Sequence, residues 1–254
     1  MKIDINCDMG ESFGQYSLGQ DQAMLPWITS ANIACGFHAS DPLVMQQTVQ
    51  AANQAGVNIG AHPGYPDLQG FGRRFLDMTP EEVESMILYQ IGALSAFSKS
   101  AGTILTHIKP HGALYNHAAR DPLTASAIVK ALTSFSKDII LVGLAGSVLV
   151  EMGQNAGLIT ANEGFPERAY ETDGSLRSRR LSGAVIHSPQ EAAEQALSLS
   201  TKGILITSGS QNSVIPINTL CVHGDSPKAL NVVKAITEKL QSQKINIQPM
   251  KEIS

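Results

Sequence analysis

Charge and aromatic rings are both scarce in this chain. Charged residues make up 16% and aromatic residues 5% of its 254 positions, with a single tryptophan. The formal net charge of -4 offers no basic face to a phosphate backbone, which argues against nucleic acid as a partner. Cysteine is equally sparse: Cys7, Cys35 and Cys221 lie far apart, with no CxxC spacing. An odd, scattered set suits a reducing compartment and provides no disulfide framework. No stretch approaches ~18 uninterrupted apolar residues, so no membrane span is expected. The opening MKIDINCDMGE carries charges where a signal peptide needs an apolar run, and a cytoplasmic protein is expected. Absent too are a GxxxxGKS/T phosphate loop, a kinase signature, a GxSxG elbow and a GxGxxG turn after a strand.

What is present is a core-forming composition, 43% hydrophobic, with short apolar runs alternating with helical patterns. Strands are expected at 2–6, 30–34, 57–61, 103–108, 139–144, 158–162 and 219–223. Asp41-Pro42 and Asp121-Pro122 each read as an N-cap followed by proline at the first helical position. Thr79-Pro80-Glu81-Glu82 has the spacing of a capping box, and Ser188-Pro189 starts another helix. Residues 204–207 and 214–217 look like the arms of a hairpin. About seven strand–loop–helix units imply parallel strands covered by helices. Polar residues recur at nearly every strand exit, which favours an α/β fold closed as a seven-stranded, TIM-barrel-like (β/α) barrel over an open sheet. One domain over 1–254 is expected, with a small hairpin insertion near 202–218.

In such a barrel the loops after the strands converge on one mouth. Five of the seven histidines lie at or just after a strand: His38, His62, His107, His111 and His223. Asp4, Asn6 and Asp8 alternate, so all three point into the lumen, where polar groups need partners or a ligand. They could form a hydrogen-bonded plug, but Asp8 at the exit is favoured as functional. Lys109 facing carboxylates stays charged, as an internal ion pair or as an anchor for an anionic substrate. Asp8, His62 and His111 make one carboxylate and two imidazoles from three strands, a set that could hold a divalent metal. Asp8, His62, Lys109 and Glu163 are the candidate catalytic residues. Asn6, Asn32, His38, His111, Arg168, His223 and Asp225 are the candidate substrate contacts, with Arg168 suited to a substrate carboxylate. Gly70 and Gly72 beside Arg73 and Arg74 could hinge a loop over the mouth. A thiolate role for Cys7 or Cys35 is the lesser alternative to a structural one.

Six segments carry a resemblance: DINCDMGESFG at 4–14, ANIACGFHASDP at 31–42, GVNIGAHPGYPD with GFGRR at 56–74, HIKPHGALYN at 107–116, EGFPERAYETDGSLRSRR at 163–180 and CVHGDSP at 221–227. Together they resemble the LamB/YcsF family of 5-oxoprolinase A subunits, over nearly the whole chain and in order. The resemblance implies ATP-dependent hydrolysis of 5-oxo-L-proline to L-glutamate, performed with partner subunits B and C. It implies a barrel similar to those of polysaccharide deacetylases and glycoside hydrolases. More distantly, DINCD, GAHPG and HIKPH resemble the metal-binding segments of YdjC-type carbohydrate deacetylases, which supports a divalent metal at Asp8, His62 and His111. The match departs at Met9, where those deacetylases carry a second aspartate. Without a phosphate loop here, an ATP site is expected to be completed by the partners. Two other readings stay open: a metal-dependent carbohydrate N-deacetylase acting without ATP, and a non-catalytic subunit that binds a lactam or sugar.

Overall fold

A computed structural model describes residues 1–208, 211–224 and 226–252. Seven parallel strands close into a barrel: β1 (Lys2–Met9), β2 (Ser30–Ala34), β3 (Asn58–His62), β4 (Leu105–Ile108), β5 (Ile140–Leu144), β6 (Ile159–Gly164) and β9 (Thr219–Val222). Each pairs with the next in that order, and β9 returns to β1 with Asp4 opposite Thr219. The antiparallel hairpin of β7 (Ile204–Ser208) and β8 (Gln211–Ile215) forms its own two-stranded sheet. A two-residue strand, β10 (Asn246–Ile247), extends the sheet beside Lys2 and Ile3.

The strands lie inside a ring of helices: α1 (Asp21–Met24), α2 (Pro42–Gln54), α3 (Pro80–Ser100), α4 (Gly112–Ala118), α5 (Pro122–Phe135), α6 (Val148–Asn155), α7 (Pro189–Lys202) and α8 (Ala229–Ser242). Their starts follow local chemistry. Asp41 accepts from the backbone of Leu43 and Val44, and Asp121 from that of Thr124, each ahead of a proline that has no N–H to satisfy. Thr79 and Glu82 complete a reciprocal capping box on α3. Among the described residues, no helix is long and apolar enough to cross a membrane.

Period-two alternation divides β1 between two environments. Ile3, Ile5, Cys7 and Met9 face outward and join the apolar cluster that includes Val49, Ile87, Leu94 and Ile236 of the helices. Asp4 and Asn6 face the lumen and are fully buried. At the barrel's lower end, Ile140, Val142 and Ala161 pack against Met250, so the C-terminal turn stoppers the lumen.

The expected strands are all present, with shifted ends. β1 runs on to Met9 because Asp8 and Met9 pair with Asn32 and Ile33. The hairpin's second arm is Gln211–Ile215 rather than 214–217. Pro216 has no N–H for a ladder, and Asn218 instead bridges to Asn162 in both directions at 2.9 Å, leading the chain into β9.

Candidate functional site

The lumen is a stack of polar layers, each closing the hydrogen bonds of the one below. On the floor, Asp4 accepts from the hydroxyls of Thr29 (2.7 Å), Ser30 (2.6 Å) and Thr219. Burial pushes its carboxyl up to about 6, with those hydroxyls pulling the other way. Above it, Asn6 donates to Thr219 Oγ1 (2.6 Å) and accepts from Asn32 Nδ2 (2.7 Å). Asn32 Oδ1 lies 2.8 Å from His107 Nε2, and an amide oxygen only accepts, so Nε2 carries the proton. Burial, then the Lys109 charge, push His107 down to about 3, which keeps it neutral. Gly60, opposite His107 in the sheet, makes room for that ring: a Cβ there would collide with Nε2.

Lys109 forms the next layer. Its ammonium lies 2.8 Å from Glu163 Oε1, 2.9 Å from Asp8 Oδ1, 3.2 Å from Cys221 Sγ and 3.3 Å from Asn6 Oδ1. Burial alone would lower its pKa; Asp8, Cys221 and Glu163 outweigh burial and hold it well above the ordinary value. Asp8 shows the mirror image. Burial disfavours its charge, yet His62 and Lys109 hold the carboxyl well below the ordinary range. Tyr115 donates to Glu163 Oε2 at 2.6 Å, fixing the second carboxylate from α4.

At the rim, His62 Nε2 lies 3.4 Å from Asp8 Oδ2 and 3.0 Å from His111 Nδ1. His38 stacks on His111, and Glu11 lies 3.6 Å from His38 and 3.7 Å from His111. A cavity of about 1070 Å³ opens above, lined at its base by Asp8, Glu11, His62, Lys109 and His111. Its upper wall carries Arg73, Arg120, Arg168, Arg179 and Arg180. Anionic groups on a ligand would meet these guanidiniums while its other end reached the carboxylate and imidazole layer.

The predicted residues divide by depth. Asp8, His62, Lys109, His111, Arg168 and His223 reach the cavity wall. Asn6 and Asn32, the candidate substrate contacts on β1 and β2, do not reach that wall: both are fully buried and have their polar atoms paired inside the lumen. The hydrogen-bonded plug expected of the β1 row is found at Asp4 and Asn6. His38 is likewise fully buried, behind His111. Glu163, a candidate catalytic residue, has no exposed surface and is paired with Lys109. Arg168 already donates to the carbonyls of Ala184 (3.3 Å) and Arg177 (2.6 Å), so it pins the loop after β6 as well as facing the cavity. Asp225 lies outside the described residues. All three cysteines are buried thiols; burial drives Cys35 up to about 12, and Cys7 and Cys221 well above their ordinary value, so Cys7 and Cys35 are unsuited to a thiolate role. Sequence reasoning gave no role to Tyr115 or Glu11. The only trace of Tyr115 is its position four residues after His111 on one face of α4.

A closed parallel barrel with ionised and imidazole groups gathered at the carboxyl ends of its strands is built as (β/α)-barrel enzymes are built. The LamB/YcsF family model matches residues 3–254, and the chain belongs to that family. It is 49% identical over 250 residues to a 5-oxoprolinase A subunit from Syntrophobacter fumaroxidans, covering 98% of this chain and 99% of the relative. The protein of the same name from Thermococcus sibiricus is 49% identical over 253 residues, covering 100% and 99%. Among solved structures, the lactam utilization protein from Thermus thermophilus superposes with a TM-score of 0.89 at 44% identity, covering 98% of this chain and 99% of that one. A peptidoglycan N-acetylglucosamine deacetylase shares the fold at a TM-score of 0.51 and 11% identity, covering 99% and 86%.

Proposed function

We propose that this chain is the A subunit of an ATP-dependent 5-oxoprolinase, opening 5-oxo-L-proline to L-glutamate with partner subunits B and C in the cytoplasm. The observation that carries the reading is the Glu163–Lys109–Asp8 row beneath His62, at the base of a cavity with an arginine-lined wall. The relatives' names supply the substrate class. Three free, buried cysteines fit a reducing compartment.

A five-membered lactam is a resonance-stabilised amide that water attacks slowly. Transfer of the ATP γ-phosphoryl group to the carbonyl oxygen makes the ring carbon electrophilic. ADP leaves at that transfer; water then adds to the carbon, the C–N bond breaks as nitrogen takes up a proton, and a second water hydrolyses the resulting acyl phosphate to glutamate and phosphate. With no phosphate-loop motif in the chain, the nucleotide site is completed by the partners. The residues here receive the lactam and the water. The Asp8–His62 pair takes the proton from water, with Asp8 kept ionised by Lys109. Lys109 has four partners within 3.3 Å and so holds Asp8 and Glu163 in place rather than reaching the lactam oxygen itself. The guanidiniums of the wall take the substrate carboxylate.

Asp8→Asn removes the charge and keeps the shape. Glutamate release by the complex reconstituted with B, C and ATP should fall at least ~100-fold, with an unchanged circular-dichroism spectrum. Turnover that survived the substitution would refute the assignment. Acetate release from an N-acetyl sugar by this chain alone would move it to the deacetylases.

A further inference from the structure

His62 and His111 cannot meet as two ordinary neutral imidazoles. A carbonyl only accepts, so the Lys109 carbonyl at 2.7 Å fixes a proton on His62 Nδ1, and the Phe71 carbonyl at 2.8 Å fixes one on His111 Nε2. That leaves two lone pairs, on His62 Nε2 and His111 Nδ1, facing each other across 3.0 Å. Such a contact is repulsive unless positive charge lies between them. His38 adds a third imidazole. Its ring is stacked on His111 (centroids 3.7 Å apart, 4° between planes), it has no exposed surface, and among the described residues neither of its nitrogens has a hydrogen-bond partner. A buried ring left in this way is costly without a ligand. Its Nε2 lies 3.6 Å from Glu11 Oε1, which is 3.7 Å from His111 Nδ1.

We propose that Glu11, His38, His62 and His111 hold one divalent transition-metal ion of the zinc type. The four donor atoms all lie within 4.8 Å of one another. Bonds near 2.1 Å at tetrahedral or octahedral angles place ligand atoms roughly 3.0–3.5 Å apart, close to the 3.0, 3.6 and 3.7 Å found here. Three imidazoles select zinc or a similar nitrogen-preferring ion over magnesium or calcium, which take oxygen ligands. The backbone carbonyls behind His62 and His111 fix ring orientation as outer partners of metal-bound histidines do. Gly64 and Gly72 let the loop after β3 press on the rings: a Cβ at either would lie 2.7 Å from a His38 side-chain atom.

This ligand set differs from Asp8, His62 and His111. Asp8 Oδ1 is already held by Lys109 and Asn32, and among the described residues Asp8 gathers with Cys221 and His223 rather than with the three imidazoles. A second cluster, Asp8, Cys221 and His223, has the Lys109 ammonium against its carboxylate and thiol, and that charge repels an ion there. Within the lactam reading, a metal on His62 Nε2 leaves Asp8 Oδ2 as the proton acceptor. The site itself needs neither lactam nor partners, so the two ideas can fail separately.

The test is metal content of the full chain alone, stripped with chelator and dialysed against Zn²⁺, with Co²⁺ as a spectroscopic probe. The expected result is one Zn²⁺ per chain and a visible Co²⁺ absorption band, with stoichiometric binding lost in His38→Gln and in Glu11→Gln. Glu11, at the cavity wall, is the safer substitution if His38→Gln does not fold. No stoichiometric zinc, or zinc retained by a folded Glu11→Gln chain, would overturn the proposal.

Discussion

Asp4 sits on the barrel floor, away from the cavity, with three hydroxyl donors around its carboxylate. Its carboxyl lies near 3.8 when unfolded and is raised to about 6 by burial in the fold. The folded protein therefore binds this proton more tightly than the unfolded chain does. Asp4 contributes its full stability below about pH 4, and that contribution disappears as pH rises through about 6, where the carboxyl must ionise in place. A shift of about two pKa units corresponds to ~3 kcal/mol. Asn at this position keeps an oxygen acceptor and cannot ionise. The stability difference between Asp4→Asn and the parent should move in the variant's favour by ~3 kcal/mol between pH 4 and pH 8. Urea unfolding across that range measures it. A gap that stayed constant with pH would mean that the floor does not raise this carboxyl.

Strand β3 and helix α3 each carry a glycine, and the two have opposite consequences. A Cβ on Gly60 would enter the His107 ring, which donates to Asn32, which in turn holds Asp8. Gly60→Ala should cost about 1–3 kcal/mol or more and lower activity through that chain of hydrogen bonds. Gly92 of α3 has nothing within 4 Å of its imagined Cβ. Gly92→Ala should stabilise by up to ~1 kcal/mol and leave activity alone. Thermal melts of the two variants side by side decide the point; a Gly60→Ala chain as stable as the parent would contradict the packing. The same local chemistry explains what could be read in advance. Asp41, Thr79, Asp121 and Ser188 announced their helices because a cap is written in adjacent residues. Helix α4 was hidden because its N-cap, His111, makes no side-chain cap and Gly112 reads as a stop. The lumen-facing row of Asp4, Asn6 and Asp8 was legible from alternation alone. Its partner Thr219 was not, nor were Tyr115 against Glu163 and Glu11 against His38, because these contacts are made through barrel closure rather than spacing.

The hairpin lies outside the closed barrel, yet it braces the barrel's mouth. Ile206 of β7 fills the space over two glycines: a Cβ on Gly146 or Gly174 would lie 2.6 or 2.7 Å from its side chain. Thr207 N donates to Thr172 O at 2.8 Å, tying the hairpin to the loop that continues to Arg179 and Arg180. Gly146 and Gly174 both line the cavity and Ile206 does not, so the hairpin sets the position of two cavity walls from behind. Nothing in the row of acid, ammonium and imidazole groups below depends on it. Ile206→Ala should therefore separate binding from chemistry. The partly exposed side chain should cost about 1 kcal/mol of stability, while the 5-oxoproline KM of the reconstituted complex rises several-fold and kcat stays within about twofold of the parent. A fall in kcat at unchanged KM would place the hairpin's influence on the catalytic layer instead, and an unchanged KM would mean that the loop after β6 holds its shape without the brace.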